Sequence, residues 1–149
     1  MRPSGVSLII PTYKEASNLP RLFSCLSSVL QRLDCPTEVV VVDDSSPDAT
    51  ADVAEDLADV LSVPLEVIRR SGARSLSASV VQGARSARFS TVAVMDADLS
   101  HDPETLSYLV QGVRESRYDI CVASRYIAGG TISHWPWLRR ILSTLGTTA

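Results

Sequence analysis

Residues 38–42 read Glu-Val-Val-Val-Val, a β-branched run with no polar alternation. A half-exposed strand alternates apolar and polar side chains, so an unbroken run marks a strand covered on both faces, as in a parallel sheet packed between helices. The pattern recurs along the chain. "VSLII" (6–10), "LEVIR" (65–69), "TVAVM" (91–95) and "DICVAS" (119–124) are further short apolar runs. Between them lie segments of helical period. Leu19, Leu22, Phe23, Leu26, Val29, Leu30 and Leu33 keep the 3.6-residue spacing behind Asn18, a candidate cap. Asp48 or Thr50 opens a second helix with Val53, Leu57, Val60 and Leu61 inward, and residues 76–88 form a third. Pro103 suits the first turn of a fourth, running through Val113. This alternation predicts a three-layer α/β/α sandwich with a mainly parallel sheet.

At 149 residues the chain suffices for one domain, residues 1–149, with a sizeable core. A net charge of −3 gives no global attraction to nucleic acid. The charge is nevertheless segregated: residues 43–59 carry seven acidic side chains and no Lys or Arg, whereas residues 69–88 carry five arginines and no Asp or Glu. Cys25, Cys35 and Cys121 have no metal-ligand spacing and read as buried thiols of a reducing compartment. No basic region followed by a long apolar run opens the chain, and no window approaches the roughly 20 apolar residues of a membrane span.

In a parallel sheet the loops leaving the strand C-termini gather on one edge, where open α/β sheets bind ligands. The residues just past the predicted strands are Pro11 to Glu15, Asp43 to Ser46, Arg70, Asp96-Ala97-Asp98 and Ser124-Arg125-Tyr126. Carboxylates and arginines together on one edge suit a ligand with both hydroxyls and phosphates. Asp96 and Asp98, one residue apart, repel each other unless a cation sits between them, so at least one pKa is expected to rise without it. Taken singly these residues are weak signals. Asp43-Asp44 also suits a turn and helix start, Arg125 a surface charge, His101 a loop position, and Trp135 and Trp137 a core or an interface.

Other α/β classes fit less well. The first strand is followed by "PTYKEA" rather than GxGxxG, and no GxxxxGK[ST] occurs. A phosphoacceptor receiver domain and a haloacid-dehalogenase-type phosphatase both expect a lysine late in the chain. The only lysine here is Lys14.

The stretches "IIPTYKEASNLPRL", "EVVVVDDSSPDAT", "VAVMDADLSHDPE" and "VASRYIAGGTI" resemble the sequential motifs of family 2 glycosyltransferases of the GT-A fold, and most of all those of the dolichol-phosphate (polyprenol-phosphate) mannose synthases. The resemblance implies a metal-dependent inverting transfer of mannose from GDP-mannose to a polyprenyl phosphate. By position it implies that Pro11, Tyr13, Glu15, Val42 and Asp44 hold the nucleoside. It further implies that Asp96 and Asp98, flanking Ala97, form a DxD motif binding the diphosphate through Mg²⁺ or Mn²⁺. Arg125 then contacts the donor phosphates or the lipid phosphate. Asp96, Asp98 and Arg125 are the implied catalytic set.

The implied partners are a nucleotide sugar and a lipid phosphate at the cytoplasmic face of a membrane, with a homo-oligomer or a membrane-anchoring partner left open. Two departures stand out. Family members carry a glycine-rich loop resembling RxGKxGLG, whereas residues 70–77 read "RSGARSLS", with Arg74 beside the position of the lost lysine. Family catalytic domains also continue for many more residues, so the chain reads as the N-terminal, nucleotide-sugar-binding part of a longer domain. The rival readings are a non-catalytic nucleotide-sugar-binding module and a family 2 transferase with another donor such as UDP-glucose.

Overall fold

The computed structural model describes residues 1–115 and 117–124. Its two central strands, β1 (Val6–Thr12) and β2 (Thr37–Asp43), are buried at every position, as their unbroken apolar runs require. β3 (Leu65–Arg69) and β4 (Thr91–Val94) flank them with partly exposed side chains. All pairings are parallel, in the order β3-β2-β1-β4. Thr12 lies opposite Asp43 and Asp43 opposite Arg69, so these three strands end flush.

Two apolar clusters make the sheet the middle of three layers. On one face Leu8, Ile10, Val39 and Val41 pack with Leu22, Phe23 and Leu26 of α1 (Leu19–Gln31), Ala54 of α2 (Thr50–Asp56), and Leu106 and Val110 of α4 (Thr105–Arg114). Burying each such large side chain stabilises the fold by about 1.5–3 kcal/mol. On the other face Ile9, Val40 and Val42 form a smaller cluster with Ala87, beneath α3 (Leu76–Ser86). Contact there is close because α3 presents Gly83, where a Cβ would stand 2.4 Å from Ile9 Cγ2.

Several local expectations change. Residues 119–124 form no strand: Ile120 and Val122 are exposed, and no described strand offers them a ladder. The second helix stops at Asp56, and a short 3-10 turn (Ala58–Val60) follows, leaving Val60 exposed and Leu61 buried. Asn18 precedes α1, but its side chain donates to Glu15 Oε2 at 2.6 Å instead of capping the helix. Cys25 is exposed, since it falls off the stripe set by Leu22, Leu26 and Val29, and Cys35 and Cys121 are only partly buried. Among the described residues no helix is long and apolar enough to cross a membrane. Arg125, Trp135 and Trp137 lie outside the described residues.

At the sheet end opposite the candidate site, Glu38 is a buried carboxylate within β2. It accepts from Ser7 Oγ (2.6 Å), Arg88 N (2.7 Å) and Arg88 Nε (2.5 Å), joining β1, β2 and the turn that leads from α3 to β4. Burial opposes its ionisation, but these hydrogen bonds and the guanidinium charge outweigh it and hold the carboxyl below the ordinary glutamate value of 4.5. The stabilisation is therefore complete above that value and is lost as pH falls through the depressed folded-state pKa. Glu38→Gln is expected to cost about 1–3 kcal/mol at neutral pH. Thermal unfolding followed from pH 7 to 3 checks this: the variant should lose less stability than the wild type on acidification, and parallel curves would contradict the assignment.

Candidate functional site

The strand order decides where a site can form. From β1 the chain crosses to β2 and β3 on one side, then returns over the opposite face through α3 to β4 on the other side of β1. Connections leaving β1 and reaching β4 thus diverge, which opens a crevice at the strand C-termini. A cleft of about 260 Å³ lies there. Pro11, Thr12, Tyr13 and Glu15 line it from β1, Asp44 from β2, Arg74, Leu76 and Ser79 from the start of α3, and Asp96, Ala97 and Asp98 from β4.

Most candidates from the sequence therefore meet in one place. Val42 is the exception among the described residues. It is fully buried in the α3-side cluster and underlies the cleft, contributing its carbonyl to Thr12 Oγ1 at 3.5 Å.

The loop after β1 is stapled to the loop after β2. Lys14 N donates to Ser46 Oγ (2.9 Å), Glu15 N to Thr50 Oγ1 (3.0 Å) and Ala16 N to Asp48 Oδ2 (3.4 Å). Thr50 Oγ1 in turn donates to Asp48 Oδ1 at 2.5 Å. That hydroxyl, against a desolvation cost, and the N–H groups of Ala16 and Thr50 hold the Asp48 carboxyl below the usual range. Asp43 accepts from Thr12 Oγ1, Ser46 N and Ser46 Oγ, closing its own turn. Left-handed backbone at Lys14 (φ 61°), Ser45 (φ 58°) and Leu99 (φ 59°) falls on all three loops. Non-glycine residues adopt that conformation at a cost, and it clusters at functional edges.

Asp44 is more committed than its sequence position suggests. Its carboxylate pairs with the Arg70 guanidinium and accepts Ser75 N at 2.6 Å, with both side chains of the ion pair about nine-tenths buried. Glu15 is likewise engaged by Asn18. The Tyr13 ring lies beneath the Arg74 guanidinium, 4.4 Å from its centroid, with Lys14 Nζ at 5.5 Å.

The two aspartates after β4 differ in setting. No hydrogen bond among the described residues engages the Asp96 carboxylate; its backbone N–H faces His101 Nδ1 at 3.5 Å, making His101 a loop partner. Asp98 sits at the open rim and accepts Ser100 N at 2.9 Å. Desolvation opposes its ionisation, but the Ser100 hydrogen bonds and the nearby His101 outweigh it and hold its carboxyl below the usual range. The rise in pKa expected from mutual repulsion is therefore not met at Asp98, because the loop supplies its own donors.

Among the described residues no three His, Cys, Asp or Glu side chains converge as a closed metal cage. Two carboxylates in an open cleft still fit a hard cation of the Mg²⁺ or Mn²⁺ kind, which binds through one or two protein carboxylates and completes its shell with phosphate oxygens and water.

Sequence reasoning missed Ser46, Asp48 and Thr50 as staples and Arg70 as the partner of Asp44. Their acidic and hydroxyl composition was visible, but their partners are distant in sequence. Thr50→Val, an isosteric change, removes the hydroxyl that links Glu15 N to Asp48. It is expected to destabilise the chain by about 1–2 kcal/mol and to speed hydrogen exchange at the Glu15 amide. Unchanged exchange would show that the loop is held by other contacts.

The family description "Glycosyl transferase family 2" matches residues 7–148. A dolichol-phosphate mannosyltransferase of Pyrococcus furiosus is 43% identical over 138 residues, covering 93% of this chain and 38% of that protein. A polyprenol monophosphomannose synthase of Mycolicibacterium smegmatis is 37% identical over 153 residues, covering 99% of this chain and 56% of that protein. The chain thus spans between about two-fifths and just over half of these relatives.

Among solved structures, the mannosyltransferase PcManGT of Pyrobaculum calidifontis, in complex with GDP-Man and Mn²⁺, superposes with a TM-score of 0.59 at 28% identity, over 74% of this chain and 32% of that one. TarS 1-349 of S. aureus superposes with a TM-score of 0.57 at 26% identity, over 76% of this chain and 33% of that one.

Proposed function

The chain belongs to glycosyl transferase family 2, and on that premise we propose that it takes part in transferring mannose from GDP-mannose to a polyprenyl phosphate at a membrane surface. The observation that carries this reading is the single cleft that joins Tyr13 and Glu15 to Asp96 and Asp98 across the switch point of the sheet. One side offers an aromatic face and a carboxylate to a nucleoside, and the other offers a pair of acidic ligands to a cation. The names of the two curated relatives supply the lipid phosphate, and the GDP-Man and Mn²⁺ of the superposed mannosyltransferase supply donor and metal.

The chemistry follows from these groups. The acceptor is a phosphate, already ionised, so no strong base is needed to activate it. One of its oxygens attacks the anomeric carbon in line. As the new C–O bond forms, the bond to the diphosphate breaks and GDP leaves with the electron pair, inverting the anomeric centre to a β-linked product. Asp96 and Asp98 would hold a divalent cation, which would supply charge neutralisation for the leaving diphosphate.

The chain's own share is positioning and electrostatics. Stapling of the β1 loop to the β2 loop fixes Tyr13 and Glu15 before a donor arrives, so little ordering entropy is spent on binding. Asp98, held ionised by Ser100 and His101, is ready as a ligand over the neutral pH range. Asp96 has its carboxylate open to the cleft.

Calorimetric titration with GDP-mannose tests the reading. Binding is expected in Mn²⁺, and it should weaken at least tenfold in EDTA or in Asp98→Asn, as for the loss of a charge-assisted contact. Equal affinity with and without metal would remove the cation from the site. Transfer of labelled mannose to a short polyprenyl phosphate, with the same sample, tests the reaction itself. Donor binding without transfer would favour a binding module.

A further inference from the structure

We propose that His101 is a positioning residue for the Asp96 and Asp98 pair: its imidazole holds the Asp96 amide and so braces the strand end from which both carboxylates reach the cleft. This rests on the cation-binding reading above and adds to it a residue that acts through the backbone.

The need for such a brace comes from the edge position of β4. Along a strand, successive N–H groups point alternately to the two sides within the sheet plane. Thr91 N donates to Gly5 O at 3.2 Å and Met95 N to Ile9 O at 3.0 Å, both toward β1. Asp96 N, the next donor, therefore points off the other side, where no described strand pairs with β4. Asp96 is half-buried, and a backbone N–H in that setting needs an acceptor. His101 Nδ1, 3.5 Å away, is a long contact but the one acceptor that this N–H meets among the described residues. To accept, Nδ1 carries no proton, which places the ring proton on Nε2.

The ring has a firm support. Asp102, the next residue, takes Glu104 N on its side chain and Thr105 N on its carbonyl, both at 3.0 Å, at the start of α4. That helix is seated in the main core through Leu106 and Val110. Ala97 is buried in the same core, and Leu99 packs against it. His101 thus ties the end of β4 to the start of α4 and closes the loop over residues 97–100.

The two carboxylates are not held alike. Asp98 accepts Ser100 N at 2.9 Å, so its own turn sets its direction. The Asp96 carboxylate accepts no hydrogen bond from the described residues, so its direction depends on the backbone that His101 fixes. His101 is not among the residues that line the cleft, whereas Asp96, Ala97 and Asp98 are. A cation of the Mg²⁺ kind demands a narrow ligand geometry, and groups that orient ligands from behind govern affinity by about tenfold to a hundredfold.

Binding of Mn²⁺ in saturating GDP, followed by the electron paramagnetic resonance signal of the free ion, tests this with three substitutions. His101→Asn puts its amide oxygen on the atom that bore Nδ1, keeping an acceptor near the same point. His101→Gln carries its oxygen one bond further out, losing that acceptor while keeping more of the bulk. His101→Ala removes both. The Gln and Ala variants are expected to weaken Mn²⁺ about tenfold, with the Asn variant close to wild type. A packing role would favour Gln over Asn, and a role for the imidazole as ligand or charge would make Asn and Gln equally poor. Either result overturns the proposal.

Hydrogen exchange at the Asp96 amide, in metal-free protein, gives a readout independent of nucleotide and ion. It should speed up in His101→Gln and His101→Ala and stay slow in His101→Asn; unchanged exchange in all three would also refute the brace. If His101→Ala does not fold, the Asn and Gln pair carries the comparison. Wild-type protein that binds no Mn²⁺ in the presence of GDP overturns the cation reading and this inference together. Wild-type binding that His101→Gln leaves intact overturns this inference alone.

Discussion

β1 is the element on which the site depends. It is buried along its whole length, pairs in parallel with β2 on one side and β4 on the other, and is the strand across which the chain reverses its direction of winding. Because the connection on one side covers one face and that on the other side covers the opposite face, no helix among the described residues closes the gap above its C-terminal end. A cleft there follows from topology, before any particular side chain is considered. The close packing of α3 at Gly83 on Ile9 and Val42 brings the start of that helix, with Arg74 and Ser75, to the same edge.

The acidic residues that dominate this edge divide into two kinds. Asp43, Asp44 and Asp48 are consumed internally: each accepts two or more hydrogen bonds and ties together loops that are far apart in sequence. Asp43 and Asp44 are buried while Asp48 is exposed; buried carboxylates that are fully paired rigidify their surroundings, and removing one partner leaves the other at a high cost. Asp96 and Asp98 are left with spare acceptor capacity facing the cleft. The first group builds a rigid cradle, and the second keeps negative charge available for a cation. This division gives a physical account of how one edge accommodates so many carboxylates.

Much of this was legible in the chain itself. Val39 to Val42 announce a strand covered on both faces, and the strand–helix alternation yields the layers. The polar residues placed just past each apolar run predict the edge where the cleft lies. Pro11, Tyr13, Glu15, Asp44, Asp96, Ala97 and Asp98 do line it together.

What could not be read are the pairings between loops. Nothing near Asp44 in sequence points to Arg70, 26 residues on, and the backbone turn at Gly72 that delivers Arg74 to Tyr13 is not a matter of residue spacing. The exposed position of Cys25 was legible in principle, since it breaks the helical stripe, but composition alone suggested burial. Residues 119–124 show the converse: local β-propensity alone produces no strand there, since an apolar run needs a ladder and none of the described strands pairs with it.

The central claim is that metal and nucleotide bind together at the C-terminal end of β1 and β4. Paramagnetic broadening of backbone amide signals by Mn²⁺, in protein saturated with GDP-mannose, measures this most directly, because broadening falls steeply with distance from the ion. The account predicts the strongest losses at Ala97, Asp98 and Leu99, weaker ones at Tyr13 to Glu15, and none at residues 31–34, at the far end of α1. Broadening centred on residues 31–34 and 107–115, where a second groove lies between α1 and α4, would contradict it.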